Sequence, residues 1–139
     1  MIRLAETDDF DVIYGLFSNN KRVKASIYED CDMSSMLRNF GRARVSGFAR
    51  VVEHKGRVVG CMIATLSRNP WGQLCAYDLV SYSTRETPGL IREYIKWARD
   101  SGVKDKNIFM SNSFGSKRYD TMIQQMGFVQ DTITYRKGE

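Results

Sequence analysis

Between residues 77 and 102 the chain carries the β-favouring run Tyr-Asp-Leu-Val-Ser-Tyr, then Ser-Thr-Arg-Glu-Thr-Pro-Gly, then an amphipathic stretch that stops at Gly102. Nothing else in the chain constrains the fold as much, because a strand, a sharp turn and a helix must follow one another without a break. Thr87 is placed as an N-cap, its hydroxyl able to accept a hydrogen bond from a first-turn amide. Pro88 suits the first helical position, where a missing N–H loses nothing. Leu90, Ile91, Tyr94, Ile95 and Ala98 fall on one stripe of a helix over 88–100. Gly102 suits the left-handed residue that ends such a helix. A strand feeding a helix N-terminus brings unbonded amides and the positive end of the helix dipole to one place, which attracts anions. The same unit also occurs as plain packed core, so a site needs more than this pattern.

The 139 residues are expected to form one domain over 1–139, with a core of ordinary size. An apolar fraction of 42% and a charged fraction of 27% are those of a globular chain. The longest apolar run, around 58–66, is too short for a membrane span. The N-terminus carries acids and no long apolar core, so no secretory signal is read there and a cytoplasmic protein is expected. Cys31, Cys61 and Cys75 are widely spaced, and His54 is the single histidine. That combination speaks against a zinc site, and no metal is expected. Cys61 and Cys75 lie in apolar strands and read as buried small hydrophobes. A net charge of +5 favours acidic ligands, polynucleotides and phosphorylated small molecules alike.

Along the chain, 2–6 reads as a strand, followed by a helix that opens at Thr7 with Asp8 and Asp9 in its first turn. Phe10, Ile13, Tyr14 and Phe17 are its buried stripe, and Asn19-Asn20 its end. A basic connector spans 21–28. A second helix starts near Asp32, with Met33, Met36, Leu37 and Phe40 on one face, and 41–47 reads as a loop carrying Arg42 and Arg44. Strands over 48–53 and 57–66 are joined at His54-Lys55-Gly56, a tight hairpin. Asn69-Pro70-Trp71-Gly72 is a turn, and 73–82 a third long strand. Beyond Gly102, a strand over 107–111, a turn over 114–117, a helix over 117–126 and a strand over 128–136 complete the chain. The order is βααβββαβαβ, an α/β arrangement that implies a twisted mixed sheet with helices on both faces.

That order, taken with Trp97-Ala98-Arg99-Asp100-Ser101-Gly102-Val103 and Met122-Ile123-Gln124-Gln125-Met126-Gly127-Phe128, resembles the GCN5-related N-acetyltransferase (GNAT) superfamily over essentially the whole chain. The resemblance implies acyl transfer from acetyl-CoA, as co-substrate, to an amine acceptor, without a metal. It also implies site residues. The superfamily's pyrophosphate loop runs Arg/Gln-x-x-Gly-x-Gly/Ala. Here Gly89 alone supplies a glycine, Pro88 has no amide, and the loop is expected to be shortened. Ser83, Thr84, Arg85, Thr87 and Gly89 would hold phosphate through hydroxyls, a guanidinium and the remaining amides. Ser116 stands where the superfamily often has asparagine, and it also reads as an N-cap. The amides of Val80 and Ser81 would polarise the thioester carbonyl.

For chemistry, an ammonium must lose a proton before attack. Asp78 is the candidate base, ahead of Glu53 and Glu86, and strand alternation gives it one face with Ala76, Val80 and Tyr82. The superfamily's acid position falls on Ile123, so Tyr119, one turn earlier on the same face, is the candidate acid. His54 at the hairpin tip is expected in solvent. Two other readings stand beside this one. A GNAT-fold protein without catalysis could serve as a structural or binding component, as in phage or bacterial accessory proteins. A nucleic-acid binder would use Lys21, Arg22, Lys24, Arg38, Arg42, Arg44 and Arg50, but few aromatics interleave them. The edge of the last strand could pair across a homodimer.

Overall fold

A computed structural model describes residues 1–18, 32–112, 116–132, 135 and 137–138. Five strands form one sheet in the order β1 (Ile2–Leu4), β2 (Phe48–His54), β3 (Arg57–Arg68), β4 (Leu74–Ser83), β5 (Ile108–Phe109). The first four are antiparallel, and β5 runs parallel to β4. The helices are α1 (Phe10–Ser18), α2 (Met33–Ser46), α3 (Thr87–Asp100) and α4 (Lys117–Gln125). The sheet is therefore mixed and helix-flanked, as the element order requires.

Local chemistry accounts for most joints. Lys55 and Gly56 turn the β2–β3 hairpin at φ 51 and 75, the two positive values of a primed turn. The Asn69 side-chain oxygen accepts from the amides of Trp71 and Gln73 at 3.0 and 2.9 Å, closing the β3–β4 turn. α3 and α4 end alike. In α3 the Val103 amide donates to Ala98 and Gly102 to Arg99; in α4 Phe128 donates to Ile123 and Gly127 to Gln124. Gly102 and Gly127 take the left-handed conformation at φ 91 and 95 that this paired closure needs.

The two faces of the sheet carry separate cores. Phe10, Ile13 and Phe17 of α1 and Phe40 and Ala43 of α2 pack on Ala49, Val51, Cys61 and Ile63. Leu90, Tyr94 and Ala98 of α3 pack on Phe48, Val52, Met62, Ala64 and Ala76 on the other face. Cys61 and Cys75 are fully buried and unpaired, in keeping with their apolar strands, and burial pushes the Cys61 thiol up to about 12. Cys31, Asn19-Asn20 and the basic connector lie outside the described residues.

Four expectations need correcting. Residues 41–47 are not a loop: α2 continues through Gly41 to Ser46. A helical glycine costs about 1 kcal/mol. Burial of Phe40 and Ala43, and the Arg44 bonds to the Ala5 carbonyl and the Thr7 hydroxyl at 3.1 and 2.8 Å, outweigh it. Thr87 is not an acceptor cap: it is the first residue of α3, and its hydroxyl donates to the Ser83 carbonyl at 3.3 Å. β5 pairs over Ile108–Phe109 rather than 107–111. Residues 128–132, read as the start of a last strand, form none, so no such strand edge is available among the described residues for pairing across a dimer.

Candidate active site

The site is built by a mismatch in strand length. β4 and β5 share two rungs, Ala76 with Ile108 and Tyr77 with Phe109, whose rings stack at 5.1 Å. β4 then continues to Ser83, whereas β5 ends at Phe109. From Asp78 onward the β5-facing side of β4 has no strand partner among the described residues. This gap in strand pairing leaves backbone groups of β4 that an extended ligand could pair.

A bulge decides what faces the gap. Ala64 pairs with Asp78 and Ile63 with Val80, which leaves Leu79 as an extra residue. Ala76 and Asp78 therefore share the α3 face, whereas Val80 and Tyr82 turn to the α1 face, where they pack on the core around Phe17. The expectation that Asp78, Val80 and Tyr82 share a face fails for this reason. Ser81, opposite Met62, comes back to the same face as Asp78.

Asp78 reaches across the gap. Both its carboxylate oxygens accept from the Ser111 amide, at 3.0 and 3.1 Å. Burial pushes its pKa up to about 6, against the opposing pull of that amide. Tyr119, on the first turn of α4, places its hydroxyl out of solvent beside the Ser81 side chain, short of a well-formed hydrogen bond. Burial and then the Asp78 charge raise the phenol to about 12, and the neighbouring Ser81 side chain eases the rise slightly. Tyr94 lies beside both: its hydroxyl donates to the Phe109 carbonyl at 2.7 Å, and burial and the Asp78 charge raise its pKa. Two residues selected separately from the sequence, Asp78 and Tyr119, thus lie in one electrostatic cluster with Ser81 and Tyr94.

The loop between β4 and α3 is tightly self-bonded. The Ser83 hydroxyl donates to the Arg85 carbonyl and accepts from the Arg85 amide. Together with the Thr87 bond, this occupies the protons of two of the expected phosphate-binding hydroxyls. What stays open is the Thr84 side chain, the exposed Arg85 guanidinium and the amides of Thr87 and Gly89, which precede the first α3 bond from Leu90 to Glu86. Glu86 holds a left-handed conformation at φ 54, and its carboxylate meets the Met1 amino group at 2.6 Å. A Cβ at Gly89 would stand 3.0 Å from Ile2 Cδ1, a close contact that a small shift of that side chain relieves. Gly60 matters more. A Cβ on it would lie 2.7 Å from Ser83 Cα, so only glycine fits opposite the last residue of β4.

Ser116 caps α4, its hydroxyl accepting from the Tyr119 amide at 3.2 Å. Of the weaker base candidates, Glu53 is bonded to Arg3 at 3.1 Å and Glu86 stands in the loop. His54 closes β2 and is half-buried rather than free in solvent. Sequence reasoning missed Gly60, Asn112 and the bulge. Only Asn112 left a local signal, an asparagine four residues ahead of a serine cap. Of the cations proposed for nucleic acid, Arg44 is committed to Ala5 and Thr7, and Arg50 lies over the Phe48 ring at 4.7 Å. Lys21, Arg22 and Lys24 lie outside the described residues.

No protein-family model and no curated protein matches the chain. Solved structures do. A predicted acetyltransferase from Clostridium acetobutylicum, solved with acetyl-CoA, superposes with a TM-score of 0.75 at 13% identity, covering 100% of this chain and 95% of that one. A GCN5-related N-acetyltransferase from Ralstonia eutropha JMP134 gives 0.75 at 13% identity over 99% and 97%. A Trypanosoma brucei acetyltransferase gives 0.67 at 14% over 100% and 99%. At these identities the likeness is one of fold, and the fold is GNAT-like. Among the described residues no helix is long and apolar enough to cross a membrane.

Proposed function

We propose that this chain is an acyl-CoA-dependent N-acyltransferase that moves an acetyl group from acetyl-CoA to a primary amine of a small molecule or peptide. The observation that carries the reading is the unpaired side of β4 beyond Tyr77, with Asp78 held to Ser111 at its start and the Tyr119 hydroxyl out of solvent in the same electrostatic cluster. Several neighbours of the same fold are named acetyltransferases, and one was solved with acetyl-CoA.

In this reading the pantetheine arm lies along the unpaired side of β4 and its carbonyl oxygen meets the amides near Val80 and Ser81. The diphosphate rests against the Thr87 and Gly89 amides, with Thr84 and Arg85 alongside. Asp78 takes the ammonium proton, and its raised pKa brings it nearer to the working pH of a base. The free amine attacks the thioester carbon, the attacking nitrogen gives its second proton to solvent, and collapse of the tetrahedral intermediate breaks the C–S bond and expels CoA thiolate. A phenol near pKa 12 holds its proton more tightly than an ordinary thiol near 8.5. Tyr119 therefore acts mainly as a hydrogen-bond donor to the departing sulfur, and the thiolate takes its proton from solvent.

A titration calorimetry experiment with acetyl-CoA tests the reading. The expected result is micromolar binding, weakened about tenfold by Arg85→Ala through loss of a charge-assisted contact. No heat and no thermal shift at millimolar acetyl-CoA would overturn it. Tyr119→Phe should lower kcat by about 10²-fold, the scale of one lost transition-state donor, with the dissociation constant for acetyl-CoA unchanged. An unchanged kcat removes Tyr119 from the reaction.

A second reading has its own observation. The Ser83 and Thr87 hydroxyls and the Arg85 amide are engaged within the loop, and the Glu86 carboxylate stands where an anion would approach. These features suit a GNAT-fold binding protein without catalysis, and the same titration separates the two.

A further inference from the structure

Directly after β5 ends, two consecutive residues do different jobs. The Ser111 amide holds both oxygens of Asp78. Asn112 grips the start of α4: its Nδ2 donates to the Ser116 carbonyl at 2.8 Å, and its Oδ1 accepts from the Ser116 amide at 3.2 Å. Ser116 in turn caps the Tyr119 amide at 3.2 Å. A reciprocal side-chain-to-backbone pair of this kind fixes both the distance and the rotation of the residue it holds. α4 has only nine residues and a single buried residue, Ile123, near its C-terminal end, so its own packing holds its N-terminal turn weakly. The Tyr119 hydroxyl is nevertheless out of solvent without a well-formed hydrogen bond, the Ser81 side chain being only a weak partner, so the phenol's own bonding does little to hold it there.

We infer that Asn112 is a positioning residue: it fixes the first turn of α4, through Ser116, so that the Tyr119 hydroxyl faces the gap that Asp78 spans. This deepens the acyltransferase reading and rests on it for its catalytic consequence. The geometric consequence stands by itself. Ser111 and Asn112 tie the proposed base and the proposed donor to one two-residue stretch of backbone, so their separation is set where β5 ends. Nothing in this arrangement requires Asn112 to touch a substrate.

The test uses Asn112→Ala and Asn112→Asp, the second keeping the acceptor for the Ser116 amide while losing the donor. The first readout needs no activity. Ultraviolet titration of the tyrosines, with Tyr119→Phe to identify the Tyr119 signal, follows that phenol directly. In Asn112→Ala the Tyr119 phenol is expected to ionise at lower pH than in the parent protein, because it has moved toward water, with Asn112→Asp between the two. The second readout is kinetic. Asn112→Ala should lower kcat about tenfold, change acetyl-CoA affinity less than about twofold, and have no further effect in a Tyr119→Phe background. An unmoved phenol titration overturns the inference. So do effects of Asn112→Ala and Tyr119→Phe that simply multiply. If the phenol moves but no variant, nor the parent protein, turns over acetyl-CoA with any amine, the positioning role stands and the acyltransferase reading falls.

Discussion

If Asp78 is the base of the proposed reaction, Asp78→Asn is expected to lower kcat/KM by about 10²- to 10³-fold and to remove the acid limb of the pH–rate profile. The carboxylate must be ionised to take the amine proton, and burial holds its pKa near 6. For the parent protein kcat/KM therefore climbs as pH rises through about 6 and levels above it. In the Asp78→Asn variant the residual rate has no such step. Stability moves the other way. A carboxyl whose folded pKa lies above its unfolded value binds protons more tightly when folded, so the parent loses stability as pH rises from the ordinary carboxylate range through about 6. The asparagine carries no charge to desolvate and keeps an oxygen for the Ser111 amide. The variant should unfold no lower than the parent above pH 6. Steady-state rates and thermal melts between pH 4 and 8 check both halves. A step near pH 6 that survives the substitution would assign the base elsewhere.

Arg3→Ala produces the largest stability loss of any substitution outside the packed cores. The guanidinium bridges three elements. It donates to both oxygens of Asp9 at 2.9 and 3.0 Å and to Glu53 at 3.1 Å, joining β1, the turn before α1, and β2. Asp9 is nearly buried and also accepts from the Glu6 amide at 2.7 Å. Removing the arginine strands a carboxylate in a site with little water. For a pair that keeps some solvent contact the loss is about 3 kcal/mol, or a melting temperature about 10 °C lower. The pH dependence has a definite sign. Arg3 holds Asp9 well below the usual carboxylate range. The stability it confers is complete above the ordinary aspartate pKa and fades as pH falls through the lowered value. The alanine variant should show a flatter acid limb in melts recorded from pH 2 to 6. A parent-like melt at pH 7 would show that Asp9 finds water instead.

Short-range rules were legible. Gly102 and Gly127 end their helices as expected, Lys55-Gly56 makes the hairpin, and the stripe of Leu90, Tyr94 and Ala98 is buried against the sheet. Each depends on a few consecutive residues and a backbone preference that neighbours cannot easily override. Asp78 and Tyr119 were also legible as candidates, because an acid inside an apolar strand and a tyrosine on a short helix are chemically conspicuous.

What only the tertiary structure decided is which of these residues meet. The Leu79 bulge arises from how β3 and β4 pair, and it separates Asp78 from Val80 and Tyr82 while returning Ser81 to the Asp78 side. The continuation of α2 through Gly41 depends on burial against β2 and β3, which follow it in the chain. The gap depends on β5 ending two residues in, and Asp78 reaches Ser111 across a sequence separation of 33. Composition, periodicity and capping act over a few neighbouring residues and so determined the elements. Register, bulges and strand divergence come from contacts between distant segments, and those contacts placed the chemistry.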